Sequence, residues 1–86
     1  MTDNIWSVVR KEMLDWLGSA FDASDLDLET RLREDLGLSS LKTVDLIVRI
    51  EEVFDISISD DDLGSLKTIG DVVGVIRRKV AGADVG

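Results

Sequence analysis

The sequence predicts an all-α fold, a small four-helix bundle made of three main helices and a short third helix. Apolar residues recur at helical spacing in three segments, and no alternation of apolar and polar residues is long enough to found a sheet. The 86 residues, 44% of them hydrophobic, suit one domain with a single core. We therefore expect one domain over residues 1–80 and a flexible C-terminal tail over residues 81–86.

The first predicted helix covers residues 3–17 and ends at Gly18. Its apolar face contains Ile5, Val9, Met13, Trp16 and Leu17. The acidic connection that follows, residues 18–38, is long for a compact domain. We expect it to be fixed to the core by its apolar side chains, namely Phe21, Leu26, Leu28, Leu32, Leu36 and Leu38.

Three more helices are predicted in the second half of the chain. The second runs from Ser40 to Phe54, and the short third covers residues 60–65 with Ser59 as its N-cap. Thr68 and Asp71 form a capping box at the start of the fourth helix. The basic residues 77–79 suit the negative end of this helix, so we expect it to end near Val80. Its apolar face contains Ile69, Val72, Val73, Ile76 and Val80.

Composition limits the chemistry that the chain can perform alone. There is no Cys and no His, which excludes disulfides, a thiol nucleophile of the protein's own and the usual general base. Ten basic residues against 18 acidic ones leave a net charge of −8, which disfavours nucleic acid and favours a basic protein surface as partner. We expect a monomer that is not an enzyme and that has no catalytic residues.

Two alternative functions, a calcium-binding module and a serine hydrolase, do not fit the sequence. A calcium site at residues 60–62 does not fit the loop pattern, because Gly64 stands where an acidic ligand is needed and no Glu closes the loop; we expect no metal ligands. A serine hydrolase would need the missing His.

No window approaches the roughly 20 apolar residues of a membrane span, and the first residues lack a secretory pattern, so we expect a cytoplasmic protein.

The predicted second helix carries two apolar stripes. At about 100° per residue, one stripe faces the core and contains Leu46, Ile47, Ile50, Val53 and Phe54. A second stripe, Leu41, Val44 and Val48, lies nearly opposite. Either the long connection or the third helix covers it, or it is a docking strip for a partner. The charged residues beside it are Lys42, Asp45, Arg49 and Glu52, which can also pair within the helix.

Two serines stand where this helix begins. Ser is a favoured N-cap, so either Ser39 or Ser40 should cap, and replacing the cap by Ala should cost about 1 kcal/mol. The exposed N–H groups of a helix start also favour a covalently attached phosphate. A phosphodiester on Ser40 would stand at the head of the stripe that begins with Leu41.

The residues from Glu34 to Leu46, EDLGLSSLKTVDL, resemble the prosthetic-group attachment motif of acyl carrier proteins. The similarity continues through residues 50–58, 60–62 and 68–73. The resemblance implies that Ser40 receives 4′-phosphopantetheine from coenzyme A through a phosphopantetheinyl transferase. It also implies that acyl chains travel as thioesters on this arm to ketosynthase, acyltransferase or related enzymes.

The resemblance further implies roles for the second helix. Leu41, Val44 and Val48 align with positions that contact partner enzymes, and Asp45 and Glu52 with acidic positions read by basic patches. The space between the second helix, the third helix and the bundle interior could shelter the acyl chain, with Ile58, Leu63 and Leu66 as lining, although core packing suits each of these residues better.

Two departures from the family pattern matter. Ser39 stands where the family usually has Asp; Ser40 is preferred as the attachment residue because Leu41 follows it and Gly37 lies three before it. Lys42 and Arg49 replace acidic or neutral residues of the common fatty-acid carriers, which favours polyketide or another specialised synthesis. The alternative function is an acidic helical adaptor that is never modified and binds a protein through Leu41, Val44 and Val48.

Overall fold

Four α-helices account for most of the described chain: α1 Asp3–Leu17, α2 Ser40–Phe54, α3 Asp60–Gly64 and α4 Ile69–Val85. The computed structural model describes the backbone of residues 3–85 and the side chains of residues 5–80. The all-α class and the bounds predicted for α1 and α2 are confirmed, and α3 ends one residue earlier than predicted. Two 3-10 turns, Gly18–Ala20 and Ala23–Asp25, lie in the connection after α1.

The core lies between α1, α2 and α4 and is closed by the connection after α1. Its buried members are Val9, Met13, Leu26, Leu32, Leu36, Leu38, Leu46, Ile47, Ile50, Ile58, Leu66, Ile69, Val72, Val73, Val75 and Ile76. The prediction for Val53 is wrong, because this side chain is 41% exposed. Val53 lies at the edge of the core-facing stripe, roughly 70° from the middle of the arc that Leu46, Ile50 and Ile47 bury.

The prediction that α4 ends near Val80 is wrong for the backbone, which stays helical through residues 81–85. The basic residues 77–79 therefore lie inside the helix and do not neutralise its C-terminus. Lys79 Nζ lies 3.3 Å from Asp62 Oδ2, and Arg78 Nη2 lies 3.9 Å from Asp62 Oδ1, so two of them tie α3 to α4. The flexibility of the tail stays a prediction, and Gly86 lies outside the described residues.

The long connection between α1 and α2 is held by buried leucines, as predicted. Leu26, Leu32, Leu36 and Leu38 are all buried, whereas the Leu28 side chain is 47% exposed and Leu28 is attached through its carbonyl, which accepts from Gly70 N at 2.8 Å. Backbone hydrogen bonds add to this attachment: Leu32 N donates to Lys67 O at 2.9 Å, and Ile69 N donates to Thr30 O at 3.0 Å. The connection thus crosses the start of α4 as a short antiparallel bridge.

Candidate functional site

The two serines at the start of α2 have different surroundings. Ser39 is the N-cap: its hydroxyl accepts a hydrogen bond from Lys42 N at 3.2 Å, and Thr43 Oγ1 donates to Ser39 O at 2.9 Å. Ser40 is the first helical residue and is exposed, and no hydrogen bond joins its hydroxyl to any described group. The structure therefore assigns the cap to Ser39 and leaves the hydroxyl of Ser40 accessible.

The first turn of α2 presents Ser40 Oγ at the positive end of a helix dipole. Only the Lys42 and Thr43 N–H groups of this turn have acceptors on Ser39, its hydroxyl and its carbonyl respectively. A phosphate bonded to Ser40 would lie at this N-terminus, which is a favourable place for negative charge. The local geometry therefore fits a phosphodiester.

A groove of about 550 Å³ opens beside Ser40. Its walls are Arg31, Arg33, Glu34, Ser40, Thr43, Val44, Leu63, Gly64, Leu66, Lys67 and Thr68. Leu63 and Leu66 line it as expected for a shelter between α2 and α3. Ile58 does not: it is buried in the core, and its N–H donates to Glu51 Oε2 at 2.6 Å.

The stripe of Leu41, Val44 and Val48 faces outward. These side chains are 74%, 41% and 46% exposed, so neither the connection after α1 nor α3 covers them. Lys42, Asp45 and Glu52 beside the stripe are also exposed. We call Leu41, Val44 and Val48 the docking strip below.

Arg49 occupies a different position from the other charged residues beside the docking strip. Its Nε lies 2.9 Å from Glu12 Oε1, and this ion pair joins α2 to α1. For Arg49, this longer-range contact replaces the pairing within the helix that the sequence allowed. Arg49 therefore joins two helices through its Nε, while its side chain stays 39% exposed.

Three basic residues of the groove, Arg31, Arg33 and Lys67, were not singled out from the sequence. Arg31 and Arg33 belong to the connection after α1, and Lys67 precedes α4. The antiparallel bridge between Arg31 and Thr68 brings the two segments together. The only sequence signal is the presence of cations in an otherwise acidic stretch, which does not show that they meet.

The turn that leads into Gly37 and the two serines is held by Asp35. Arg31 N donates to Asp35 Oδ2 at 2.8 Å, and Arg31 Nε approaches the same oxygen at 3.5 Å. Because the backbone N–H and then the guanidinium of Arg31 stabilise its charged form, the pKa of Asp35 lies below the usual 3.8. Gly37 follows at a φ of 70°, a left-handed conformation that favours glycine.

The lowered pKa of Asp35 gives the protein an acid-sensitive turn. A carboxyl group with a lowered folded-state pKa contributes stability above its unfolded pKa, and this contribution is lost as the pH falls through the folded pKa. We expect the free energy of unfolding to decline below about pH 5, and Asp35→Asn to flatten that decline. Urea denaturation across this pH range measures the slope. Glu34→Gln, the same charge change at the neighbouring residue, is the control, and an equal effect of both substitutions would contradict the assignment to Asp35.

Two features are absent from the part of the chain that the structure describes. No helix in it is long and apolar enough to cross a membrane. No group of three or more acidic side chains in it is placed to hold a metal ion, and this includes Asp60, Asp61 and Asp62 at the start of α3.

Comparison with known proteins gives consistent matches over most of the chain. A family model described as a phosphopantetheine attachment site matches residues 7–76. An acyl carrier protein of Trieres chinensis is 37% identical over 81 residues, covering 94% of this chain and 99% of that protein. Another, of Phytoplasma australiense, is 44% identical over 62 residues, covering 72% of this chain and 82% of the relative.

Solved structures give the same fold. The crystal structure of an acyl carrier protein from Thermotoga maritima matches with a TM-score of 0.68 at 21% identity, covering 87% of this chain and 94% of that one. The family match over residues 7–76 and the relatives at 37% and 44% identity also confirm the resemblance read from the motif. The chain therefore belongs to the acyl carrier protein family, whose members are carriers and not enzymes and whose cofactor is 4′-phosphopantetheine.

Proposed function

We propose that Ser40 is the attachment residue for 4′-phosphopantetheine and that the chain delivers acyl thioesters to partner enzymes of polyketide or fatty-acid synthesis. The observation that carries this proposal is the different use of two adjacent hydroxyls. Ser39 accepts a hydrogen bond from Lys42 N, whereas Ser40 is exposed and has no partner among the described groups. A modifying enzyme can reach Ser40 Oγ without disrupting the cap.

Loading requires only one reacting atom from this chain. Ser40 Oγ forms a bond to the pantetheine-side phosphorus of the coenzyme A diphosphate. The bond from that phosphorus to the bridging oxygen breaks, the nucleotide leaves with this oxygen, and the hydroxyl proton passes to the transferase. The chain has no His, and no described group accepts a hydrogen bond from Ser40 Oγ, so we assign the base to the transferase. When bound, the cofactor supplies a terminal thiol, which this Cys-free chain lacks.

The docking strip suits brief contacts with successive enzymes. Its three apolar side chains form a small patch with exposed charges around it, and a carrier must release each partner after transfer. Tethering keeps the acyl group at a high effective concentration while the carrier is docked. The two cations that favour a specialised pathway differ in their contacts: Arg49 is paired with Glu12, whereas no ion pair joins Lys42 to a described residue.

The docking strip can be tested with two valines of α2 that are about equally exposed, Val48 at 46% and Val53 at 41%. We expect Val48→Asp to lower kcat/KM for transfer to a partner enzyme by roughly tenfold, about 1.4 kcal/mol, and to change the free energy of unfolding by less than about 0.5 kcal/mol. Val53→Asp, roughly 140° away around the helix, should leave transfer nearly unchanged. Steady-state acyl transfer and urea denaturation measure both effects, and equal loss of transfer in the two variants would remove the docking strip from the proposal.

Intact-mass measurement tests the function as a whole. The chain is co-expressed with a broad-specificity phosphopantetheinyl transferase, and peptide mapping then locates any added mass. The proposal expects one phosphopantetheine increment, on Ser40. An unmodified chain would instead favour the adaptor that binds a protein through Leu41, Val44 and Val48. The cytoplasmic location and the monomeric state stay predictions.

A further inference from the structure

The groove beside Ser40 has a charge opposite to that of the molecule. The chain carries a net charge of −8. Yet three cations, Arg31, Arg33 and Lys67, line this groove together with a single carboxylate, that of Glu34. Three of the ten basic residues thus meet in one place next to the accessible hydroxyl.

Two of these cations are not used to hold the described fold together. Arg31 is engaged with Asp35, but no ion pair joins the side chain of Arg33 or Lys67 to a described residue. Elsewhere in the molecule, cations such as Arg49 tie helices to one another through carboxylates. Arg33 and Lys67 therefore remain available to an anion in the groove.

The backbone that carries these two cations is held in place. Leu32 N donates to Lys67 O at 2.9 Å, directly joining the segment of Arg33 to that of Lys67. Fixing the backbone in advance reduces the ordering cost of binding a ligand between the side chains. The backbone that carries the two cations is therefore in position before a ligand binds.

Part of the remaining wall, which also contains Thr43 and Thr68, is suited to a short hydrocarbon stem. Val44, Leu63 and Leu66 also line the groove, and of these only Leu66 is buried. The buried residues Leu46 and Ile50 are not among its walls. The groove therefore offers surface contacts to a few methylene groups, followed by positive charge.

We propose that this groove binds acyl cargo that ends in a carboxylate, a dicarboxylic half-thioester, through Arg33 and Lys67. The inference rests on the proposed attachment of the arm at Ser40. Val44 and Leu63 contact the methylene groups, and the two cations pair with the terminal carboxylate. Arg33 and Lys67 are then determinants of cargo specificity that lie outside the docking strip.

Matched cargoes test the proposal. The chain is loaded at Ser40 with two non-hydrolysable amide-linked pantetheine analogues, one ending in glutaryl and the other in its neutral terminal amide, and loading is checked by mass. Backbone amide shifts at Arg33 and Lys67 report occupancy of the groove. We expect roughly two- to tenfold higher occupancy with the glutaryl cargo, because exposed charge pairs contribute modestly. High salt should remove most of this difference.

Charge-matched variants separate the cationic wall from general electrostatics. Arg33→Gln with Lys67→Gln should abolish the preference for the anionic cargo. Lys11→Gln with Arg77→Gln, the same charge change at exposed positions of α1 and α4, should preserve it. Circular dichroism checks that each variant is folded.

Three outcomes would overturn the inference. Equal occupancy by the neutral and anionic cargoes would show that charge is not recognised, and a preference that survives in the Arg33→Gln, Lys67→Gln variant would place recognition elsewhere. Equal shifts with an unacylated arm would assign the cations to its phosphodiester. Failure of loading at Ser40 would instead reject the proposed function, and mass measurement detects this before any cargoes are compared.

Discussion

Ser40→Ala is expected to abolish loading by a phosphopantetheinyl transferase while leaving the free energy of unfolding within about 0.5 kcal/mol of the original chain. The substitution removes Ser40 Oγ, the atom to which the phosphopantetheine group is attached in the proposal. No hydrogen bond within the described structure depends on that oxygen. Intact-mass measurement after treatment with transferase and coenzyme A gives the loading, and urea denaturation gives the stability.

Ser39→Ala is the matched control for this prediction. Ser39 Oγ caps α2 by accepting from Lys42 N at 3.2 Å, so its loss should lower the free energy of unfolding by about 1 kcal/mol. Loading at Ser40 should persist, since the attachment hydroxyl is still present. A loaded Ser40→Ala chain, or a folded Ser39→Ala chain that cannot be loaded, would reverse the roles assigned to the two serines.

Gly70→Ala is expected to lower the free energy of unfolding by about 1–3 kcal/mol. A Cβ atom at this position would lie 2.7 Å from Leu28 O, the same oxygen that accepts a hydrogen bond from Gly70 N at 2.8 Å. The backbone of the connection or of α4 must therefore move, and the hydrogen bond must lengthen. Urea denaturation followed by circular dichroism measures the loss.

Gly74→Ala in the same helix provides the control. Nothing lies within 4 Å of a Cβ atom at Gly74, so this substitution should gain helix propensity and raise the free energy of unfolding by up to about 1 kcal/mol. We therefore expect Gly70→Ala to lower the free energy of unfolding and Gly74→Ala to raise it. If Gly70→Ala is as stable as Gly74→Ala, the close approach of Leu28 to α4 is not maintained in solution.

The sequence was informative where a feature depends on neighbours along one helix. The periodicity of apolar residues predicted the bounds of α1 and α2, and the Thr68 and Asp71 capping box is present, with Asp71 N donating to Thr68 Oγ1 and Thr68 N to Asp71 Oδ2. The choice between Ser39 and Ser40 as the cap was left open. Both serines fit the N-cap pattern, and a shift of one residue in the helix start decides which hydroxyl caps the helix.

The second apolar stripe shows what a helical projection can and cannot establish. The projection separated Leu41, Val44 and Val48 from the core-facing stripe, but it could not show whether another segment covers them. Their exposure depends on where the connection after α1 and α3 pack. The same limitation explains Val53, which projects onto the edge of the core-facing stripe but meets no covering element.

The sequence by itself determined the helical class, the helix starts, the motif around Ser40 and the separation of the two stripes, because each arises from residues within a few positions of one another. Tertiary structure alone decided that Arg49 pairs with Glu12, 37 residues away, and that Arg33 and Lys67 share one groove. These contacts form only when distant segments of the chain pack together. For each residue, the sequence offers many distant partners that are chemically equivalent. Only the packing of the buried core selects among them.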